Sequence, residues 1–160
     1  MKIGVLSDTH STQPTDALIR VARGAFSDVP LILHAGDLTS MAVLDVFSDK
    51  QVVAVCGNKD RGPITDSLPK QQILHINGYR IGLVHGWGSS KGMEERVMSC
   101  FDDVHCIVYG HTHKGTNCIR SGILLFNPGS FSGTRLLKRN PTAGILTIGN
   151  GISGTIFSVA

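Results

Sequence analysis

The sequence is poor in aromatic residues, which make up 6% of its 160 positions, and its single tryptophan is Trp87. Proteins that bind nucleic acid generally combine a basic stripe with interleaved aromatic side chains. Here the 15 lysine and arginine residues are scattered, the net charge is +3, and the densest basic spot is Lys138-Arg139. We therefore expect no strong nucleic-acid patch, and we interpret Lys138-Arg139 as part of a solvated loop.

The sequence also lacks an apolar run that approaches the length of about 20 residues needed to cross a bilayer. Its start, from Met1 to Asp8, has an apolar stretch too short for a secretory signal, and an acid follows at once. We expect a cytoplasmic protein without membrane contact. Hydrophobic residues at 41% and charged residues at 17% indicate a globular chain, and its length fits one domain over residues 1–160.

Paired cysteine motifs are absent as well. The four cysteines form neither a CxxC pair nor a zinc-ribbon spacing, so in a reducing compartment we expect the free thiols Cys56, Cys100, Cys106 and Cys118. Cys100 and Cys118 lie in or beside apolar segments, which predicts that both are buried. Cys56 precedes a loop with candidate functional residues, and its role stays open.

The apolar pattern alternates strands with helices at first and then predicts paired strands. Strands are predicted at 3–6, 31–33, 52–55, 72–76, 80–84, 106–109, 117–120, 123–126, 143–148 and 152–159. Helices are predicted at 14–26, capped by Thr12, at 40–47, capped by Thr39 or Ser40, and at 91–100. Asn77-Gly78 and Ser121-Gly122 are typical of hairpin turns. This α/β pattern predicts two sheets packed face to face with helices outside.

Five of the apolar runs lead directly into residues that bind metals or phosphates. The seven candidate donors are Asp8, His10, Asp37, Asn58, His85, His111 and His113. The carboxyl ends of strands in open α/β sheets face the ligand crevice. We therefore expect these donors to converge at one edge of the fold, although they are far apart in sequence.

These donors together favour a site with two metal ions. The donors comprise two carboxylates, an amide oxygen and four imidazoles. Their burial without a cation would be unfavourable, because the carboxylates would repel each other and the imidazoles would lack partners. Seven donors exceed what one ion needs, and mixed nitrogen and oxygen donors favour Mn²⁺, Fe²⁺, Zn²⁺, Co²⁺ or Ni²⁺ over Mg²⁺. Each motif alone is more often a turn or a structural histidine, so only the combination is specific. We expect four interposed glycines to let the backbone turn sharply: Gly36, Gly57, Gly86 and Gly110.

In chain order, the motifs resemble the five signature blocks of the calcineurin-like metallophosphoesterases. The blocks are Asp8-x-His10, Gly36-Asp37, Gly57-Asn58, His85-Gly86 and Gly110-His111-x-His113. The compact length, with Asn127-Pro128-Gly129-Ser130 after the last block, resembles their small bacterial and archaeal phosphodiesterase branch. The resemblance implies an αββα sandwich of two mixed β-sheets flanked by helices. It implies one metal on Asp8, His10, Asp37 and His113 and another on Asp37, Asn58, His85 and His111, with Asp37 bridging, and it favours Mn²⁺.

The sequence departs from the family pattern at two positions. Larger relatives carry a histidine directly after the metal-binding asparagine and the small branch often carries a cysteine, where this chain has Lys59. The position three residues after Asp37, which is acidic in some relatives, is Ser40. Lys59 is therefore either a cation that binds phosphate or helps the leaving group, or an exposed lysine paired with Asp60.

The predicted function is hydrolysis of a small phosphodiester by a hydroxide that bridges two divalent ions. The predicted catalytic residues are Asp37, Asn58, His111 and Lys59. A phosphomonoesterase is one alternative. Another is a non-catalytic scaffold like the retromer subunit of this fold, which we would expect to have lost donor residues. The sequence does not decide the oligomeric state, although exposed strand edges would suit a homo-oligomer.

Four further side chains carry less specific patterns. His34 precedes the second block on a predicted buried strand, and it either supports a ligand by a hydrogen bond or is a core histidine. Trp87 either lines the substrate pocket by stacking or covers the metals. Asn127 and Ser130 are interpreted as a turn, in a loop that the family places near the site.

Overall fold

Two five-stranded mixed β-sheets pack face to face in the computed structural model, which describes residues 1–132 and 140–159. The pair Lys138-Arg139 lies outside the described residues. The first sheet has the order β10-β9-β1-β2-β3 and the second the order β4-β5-β6-β8-β7. The strands are β1 Lys2–Leu6, β2 Leu31–His34, β3 Gln51–Ala54, β4 Gln71–Ile76, β5 Tyr79–Val84, β6 Cys106–Val108, β7 Thr116–Arg120, β8 Ile123–Asn127, β9 Thr142–Ile148 and β10 Ile152–Ser158.

Each sheet has a parallel centre and antiparallel partners. Strands β1, β2 and β3 run parallel, and β9 pairs antiparallel with both β1 and β10. In the second sheet β5, β6 and β8 run parallel, with β4 and β7 antiparallel at the two edges. The turns at Asn77-Gly78 and Ser121-Gly122 join the predicted hairpins, β4 to β5 and β7 to β8. The carboxyl ends of the parallel strands in each sheet therefore open toward one edge.

Side chains that alternate along the central strands form a core between the two sheets and outer cores beneath the helices. Along β2, Leu31 and Leu33 pack into the core between the sheets, while Ile32 faces the helices on the outer side. Along β6, Cys106 and Val108 belong to the same central core and Ile107 to the outer one. Strands covered on both faces read as continuous apolar runs, and for this reason they were recognisable in the sequence. The predicted αββα sandwich is confirmed.

The helices lie on the outer faces and are shorter than predicted. They are α1 Asp16–Arg23, a 3₁₀ helix at Met41–Phe47, α2 Pro63–Ser67 and α3 Met93–Met98. The predicted cap Thr12 is wrong, because the Thr15 hydroxyl accepts the Leu18 N–H at 3.2 Å and α1 begins one residue later. Ser40 does cap the second helix through the Ala42 N–H at 3.3 Å. Helix α2 was not predicted, because its single turn is too short to show a helical period.

The cysteines are free thiols, as expected. Cys56 and Cys106 are buried and Cys100 is half-buried, but the predicted burial of Cys118 is wrong. Cys118 lies on the edge strand β7, most of whose residues are exposed. Within the described part of the chain, no helix is long and apolar enough to cross a membrane.

Candidate metal centre

All seven candidate donors follow strands of the sandwich at one edge. Asp8 and His10 follow β1, Asp37 follows β2 and Asn58 follows β3, while His85 follows β5 and His111 and His113 follow β6. Both sheets therefore contribute, and the donors meet across the interface between them.

The first group of donors is formed by Asp8, His10 and His113. The His113 Nε2 atom lies 3.1 Å from Asp8 Oδ1, and the His10 Nε2 atom lies 3.7 Å from the same oxygen. The two Nε2 atoms are 3.4 Å apart. One ligand atom from each residue can therefore reach a common cation.

The second group contains Asp37, His85, Asn58 and His111. The His85 Nε2 atom lies 3.4 Å from Asp37 Oδ2 and 3.2 Å from Asn58 Oδ1. The His111 Nδ1 atom lies 2.9 Å from that same Asn58 oxygen. Asn58 Oδ1 is thus shared between the two imidazoles, which suits a ligand atom for one cation.

Both carboxylates lie between the two groups. Asp37 Oδ2 is 3.7 Å from His10 Nε2 and 3.4 Å from His85 Nε2. Asp8 Oδ1 is 3.9 Å from His85 Nε2 in addition to its contacts in the first group. By these distances Asp8 could bridge two ions as well as Asp37 could. The assignment of the bridge to Asp37 therefore stays a prediction.

The donor set fits divalent cations. Asp8 is fully buried, and its Oδ1 atom has no hydrogen-bond partner among the described residues. A buried carboxylate oxygen without a partner is costly, and a cation at this position would remove that cost. His85 and His111 each present one ring nitrogen to the site, because the other contacts a backbone carbonyl: Ala35 O at 2.6 Å and Gly88 O at 2.8 Å, respectively.

The electrostatics of the donors couple metal binding to protons. Close contact with the Asp8 carboxylate raises the pKa of His113. Burial opposes the charge on His85, but the hydrogen bond with Asp37 and the charge of Asp8 raise the pKa of this imidazole. Burial likewise opposes ionisation of Asp37, while the hydrogen bonds with His85 and the Lys59 N–H lower its pKa. Since metal ligands must be deprotonated, cation binding should release protons and weaken in acid.

Backbone strain is concentrated at the donors. Residues other than glycine rarely adopt a positive φ, and strain of this kind clusters at functional sites. Five of the seven donors have such a backbone: Asp8 (φ 54°), His10 (φ 43°), Asp37 (φ 56°), His111 (φ 68°) and His113 (φ 55°). The surrounding contacts must hold these loops in place.

Asp60 is the main support that the sequence analysis missed. It is 1% exposed, and its carboxylate accepts the backbone N–H groups of Gly57 at 2.7 Å, Asp37 at 2.9 Å and Thr39 at 2.8 Å. Asp60 thereby joins the loop after β2 to the loop after β3. The predicted alternative of a Lys59–Asp60 pair is wrong, because the Asp60 carboxylate points inward and no such ion pair occurs in residues 1–132 and 140–159.

Lys59 contributes its backbone to the centre and presents its side chain to solvent. Its N–H donates to Asp37 Oδ1 at 2.7 Å, which leaves Asp37 Oδ2 turned toward the imidazoles. The lysine side chain is exposed. The exposed ammonium at this position is available to a substrate, and its catalytic role stays a prediction.

His34 supports two donor loops from the core. Its Nδ1 atom accepts the Gly36 N–H at 3.2 Å, so its Nε2 carries the proton that faces the Thr9 hydroxyl at 3.2 Å. Burial lowers the pKa of His34 to about 3, and the ring is neutral near pH 7. His34 therefore contacts the neighbours of Asp8 and Asp37 rather than either carboxylate.

Asn127 and Ser130 do more than form a turn. The buried Asn127 amide donates to Gly110 O at 2.8 Å and to the Thr112 hydroxyl at 3.2 Å. The Ser130 hydroxyl donates to Asp8 O at 3.2 Å. The loop after β8 thus holds the two loops that carry the first group of donors, so the simpler interpretation as a turn was incomplete.

Two of the four interposed glycines serve a purpose that differs from the prediction. Gly57 and Gly110 do not have positive φ, and each instead allows a close approach. A methyl group at Gly57 would collide with the Asp37 carboxylate, and one at Gly110 would collide with the Ser7 hydroxyl. The two glycines that do adopt positive φ are Gly36 (93°) and Gly86 (92°).

Trp87 lies beside the second group of donors. It lines a cavity of about 430 Å³ whose wall also includes Asn58 and His85. This position agrees with the predicted pocket-lining role better than with a cover over the metals, because the residue is 49% exposed.

Comparisons with known proteins agree with this architecture. The sequence model of the calcineurin-like phosphoesterase superfamily domain matches residues 1–151. A probable metallophosphoesterase of Methanocaldococcus jannaschii is 38% identical over 134 residues, which is 81% of this chain and 68% of the relative. A phosphodiesterase of the same organism is 32% identical, over 91% of this chain and 92% of its own length.

Solved structures share the fold along almost the whole chain. A novel archaeal phosphodiesterase has a TM-score of 0.73 and 26% identity, covering 98% of this chain and 100% of that structure. Vps29 of Entamoeba histolytica, in complex with Zn²⁺, has a TM-score of 0.74 and 22% identity, covering 100% of both chains. On the match over residues 1–151 and the relatives above 30% identity, the chain belongs to the calcineurin-like phosphoesterase superfamily.

Proposed function

We propose that this chain is a phosphodiesterase with two divalent metal ions. The observation that carries the proposal is the convergence of the seven donors at one edge of the sandwich. There the His10, His85 and His113 rings face Asp8 Oδ1, a buried carboxylate oxygen without a hydrogen-bond partner among the described residues. Asp8, His10 and His113 would hold one ion, and Asn58, His85 and His111 the other, with Asp37 between them. Mn²⁺ is the favoured ion by family resemblance, and the phosphodiesterase relative supports a diester substrate.

When bound, two divalent ions supply Lewis-acid chemistry, which activates water at neutral pH and neutralises phosphoryl charge. The chain's own residues hold and orient this centre. Lys59 N–H binds one oxygen of Asp37 and leaves the other for the site. Ala35 O and Gly88 O fix the rings of His85 and His111, so that each presents a lone pair. The exposed Lys59 ammonium would bind a phosphate oxygen or compensate the charge of the departing alkoxide.

The proposal is tested by assays on matched aryl esters. The protein is stripped with a chelator, reloaded with Mn²⁺, Zn²⁺ or Co²⁺, and assayed with bis(p-nitrophenyl) phosphate and p-nitrophenyl phosphate. We expect the diester to have the higher kcat/KM and the stripped protein to be inactive. A higher kcat/KM for the monoester would make the protein a phosphomonoesterase, and inactivity with every metal would favour a scaffold.

Replacing Lys59 with alanine should lower kcat for a diester with an alkyl leaving group by about tenfold or more, because a poor leaving group needs charge compensation. Metal content should not change, since only the Lys59 backbone contacts Asp37. Lys114→Ala removes the same charge from another exposed position and serves as the control. Unchanged kcat in Lys59→Ala would remove this side chain from the mechanism.

A further inference from the structure

The cavity beside the metal centre has the form of a ligand subsite. Its volume of about 430 Å³ is within the range of pockets that hold small organic ligands. Asn58 and His85 form the part of its wall that belongs to the metal centre. Its remaining wall contains an exposed aromatic ring, Trp87, and two cations, Arg61 and Lys70. A molecule with its phosphorus at the metal centre would therefore extend one substituent into this cavity.

Trp87 presents an exposed ring on a loop that is held in place. Arg96 donates from Nε to Trp87 O at 3.0 Å, and its terminal nitrogens donate to Lys91 O at 3.0 Å and to Ser89 O. Trp87 is 49% exposed, and its indole N–H donates to none of the described residues. An exposed aromatic ring, on a loop held at the wall of a cavity, is a platform for a planar ring.

The charges on the cavity wall favour an anion. Arg61 is positioned by two hydrogen bonds of 2.7 Å from Nη1 to Asn58 O and Asp60 O, which leaves Nη2 unbonded within the described segments. Lys70 is exposed, and its ammonium makes no hydrogen bond or ion pair with a described residue. Asp60 also belongs to the wall, but its single negative charge leaves the two cations in excess, and its oxygens face three backbone N–H groups.

We propose that this cavity binds a nucleotide, as one ester substituent of the diester substrate. The base would stack on Trp87, and a phosphate other than the one being hydrolysed would lie at Lys70 and Arg61. The substrate class is thus a nucleotidyl phosphodiester with an additional phosphate, such as a 5′-phosphorylated dinucleotide. This inference rests on the proposed function for the position of the reacting phosphorus, while the binding of the nucleotide does not require hydrolysis.

The binding can be measured directly, because Trp87 is the only tryptophan in the chain. Chelator-treated protein is titrated with adenosine 5′-monophosphate, adenosine or ribose 5-phosphate while the tryptophan emission is recorded. We expect the monophosphate to quench the emission saturably, with a Kd about tenfold lower than that of either fragment. Calorimetry on Trp87→Leu should show a similar tenfold loss of affinity for the monophosphate.

Matched lysine variants test whether Lys70 provides the positive charge that binds the phosphate of the nucleotide. Lys70→Gln should raise the Kd for adenosine 5′-monophosphate about fivefold or more, and Lys114→Gln should leave it unchanged. Equal affinity for the monophosphate and ribose 5-phosphate, or equal effects of the two substitutions, would overturn the inference. If the protein hydrolyses diesters but its tryptophan emission does not change with the nucleotide, the proposed function stands and this inference is overturned. Binding that depends on Lys70 in a chain without diesterase activity would support the nucleotide site and overturn the proposed function.

Discussion

Asp37→Asn should reduce kcat/KM for a phosphodiester by about a thousandfold or more and lower the metal content from two ions per chain to at most one. Asp37 is 2% exposed, and its Oδ2 atom faces His10 at 3.7 Å and His85 at 3.4 Å. An amide has a similar shape but neither the charge nor the second acceptor oxygen. Metal-based charge stabilisation contributes several kcal/mol to such reactions, and each 1.36 kcal/mol is about a factor of ten in rate.

The measurement combines diester kinetics with elemental analysis of protein that has been stripped and reloaded with Mn²⁺. Asp66→Asn removes the same charge from the exposed helix α2 and should change neither quantity. Wild-type protein that holds at most one ion per chain would overturn the two-metal proposal. An Asp37→Asn variant with full activity would remove Asp37 from the centre, and a role as a scaffold alone predicts no diesterase activity in either protein.

Asp60→Ala should lower the free energy of unfolding by about 3 kcal/mol or more. The substitution leaves three backbone N–H groups, those of Asp37, Thr39 and Gly57, without the charged acceptor that they share. A hydrogen bond to a charged group contributes about 1.5–3 kcal/mol, and a buried donor without a partner adds its own cost. Because these groups hold the loops after β2 and β3 together, the affinity for metal should also fall.

Denaturant unfolding in the presence of chelator separates this effect from metal binding. Asp66→Ala, in the neighbouring exposed helix, is the matched control and should stay within about 0.5 kcal/mol of the wild-type protein. Asp60→Asn keeps one acceptor oxygen and should give an intermediate loss. A loss below about 1 kcal/mol in Asp60→Ala would show that other contacts hold the two loops together.

Much of the fold could be predicted because the signals are local. The strand Leu31–His34 is covered on both faces, so it appears as a short apolar run. Asn77-Gly78 marks the hairpin of β4 and β5 by backbone preference alone. Predictions were wrong where the local sequence allows more than one outcome. Thr12 and Thr15 have the same capping chemistry, and Thr15 is the cap because α1 begins at Asp16. Cys118 has apolar neighbours in sequence but lies on an edge strand.

The sequence by itself determined the type of donor and its place after a strand, since both follow from residue identity and apolar runs. Tertiary structure decided which donors lie within reach of one another and which buried groups support them. Asp60 contacts Asp37 across 23 positions, and Asn127 contacts Gly110 across 17. Such contacts depend on how strands distant in sequence pair within a sheet, β2 with β3 and β6 with β8, and bring their loop ends together in space. The residue pattern within one segment does not encode which distant loop that segment will contact.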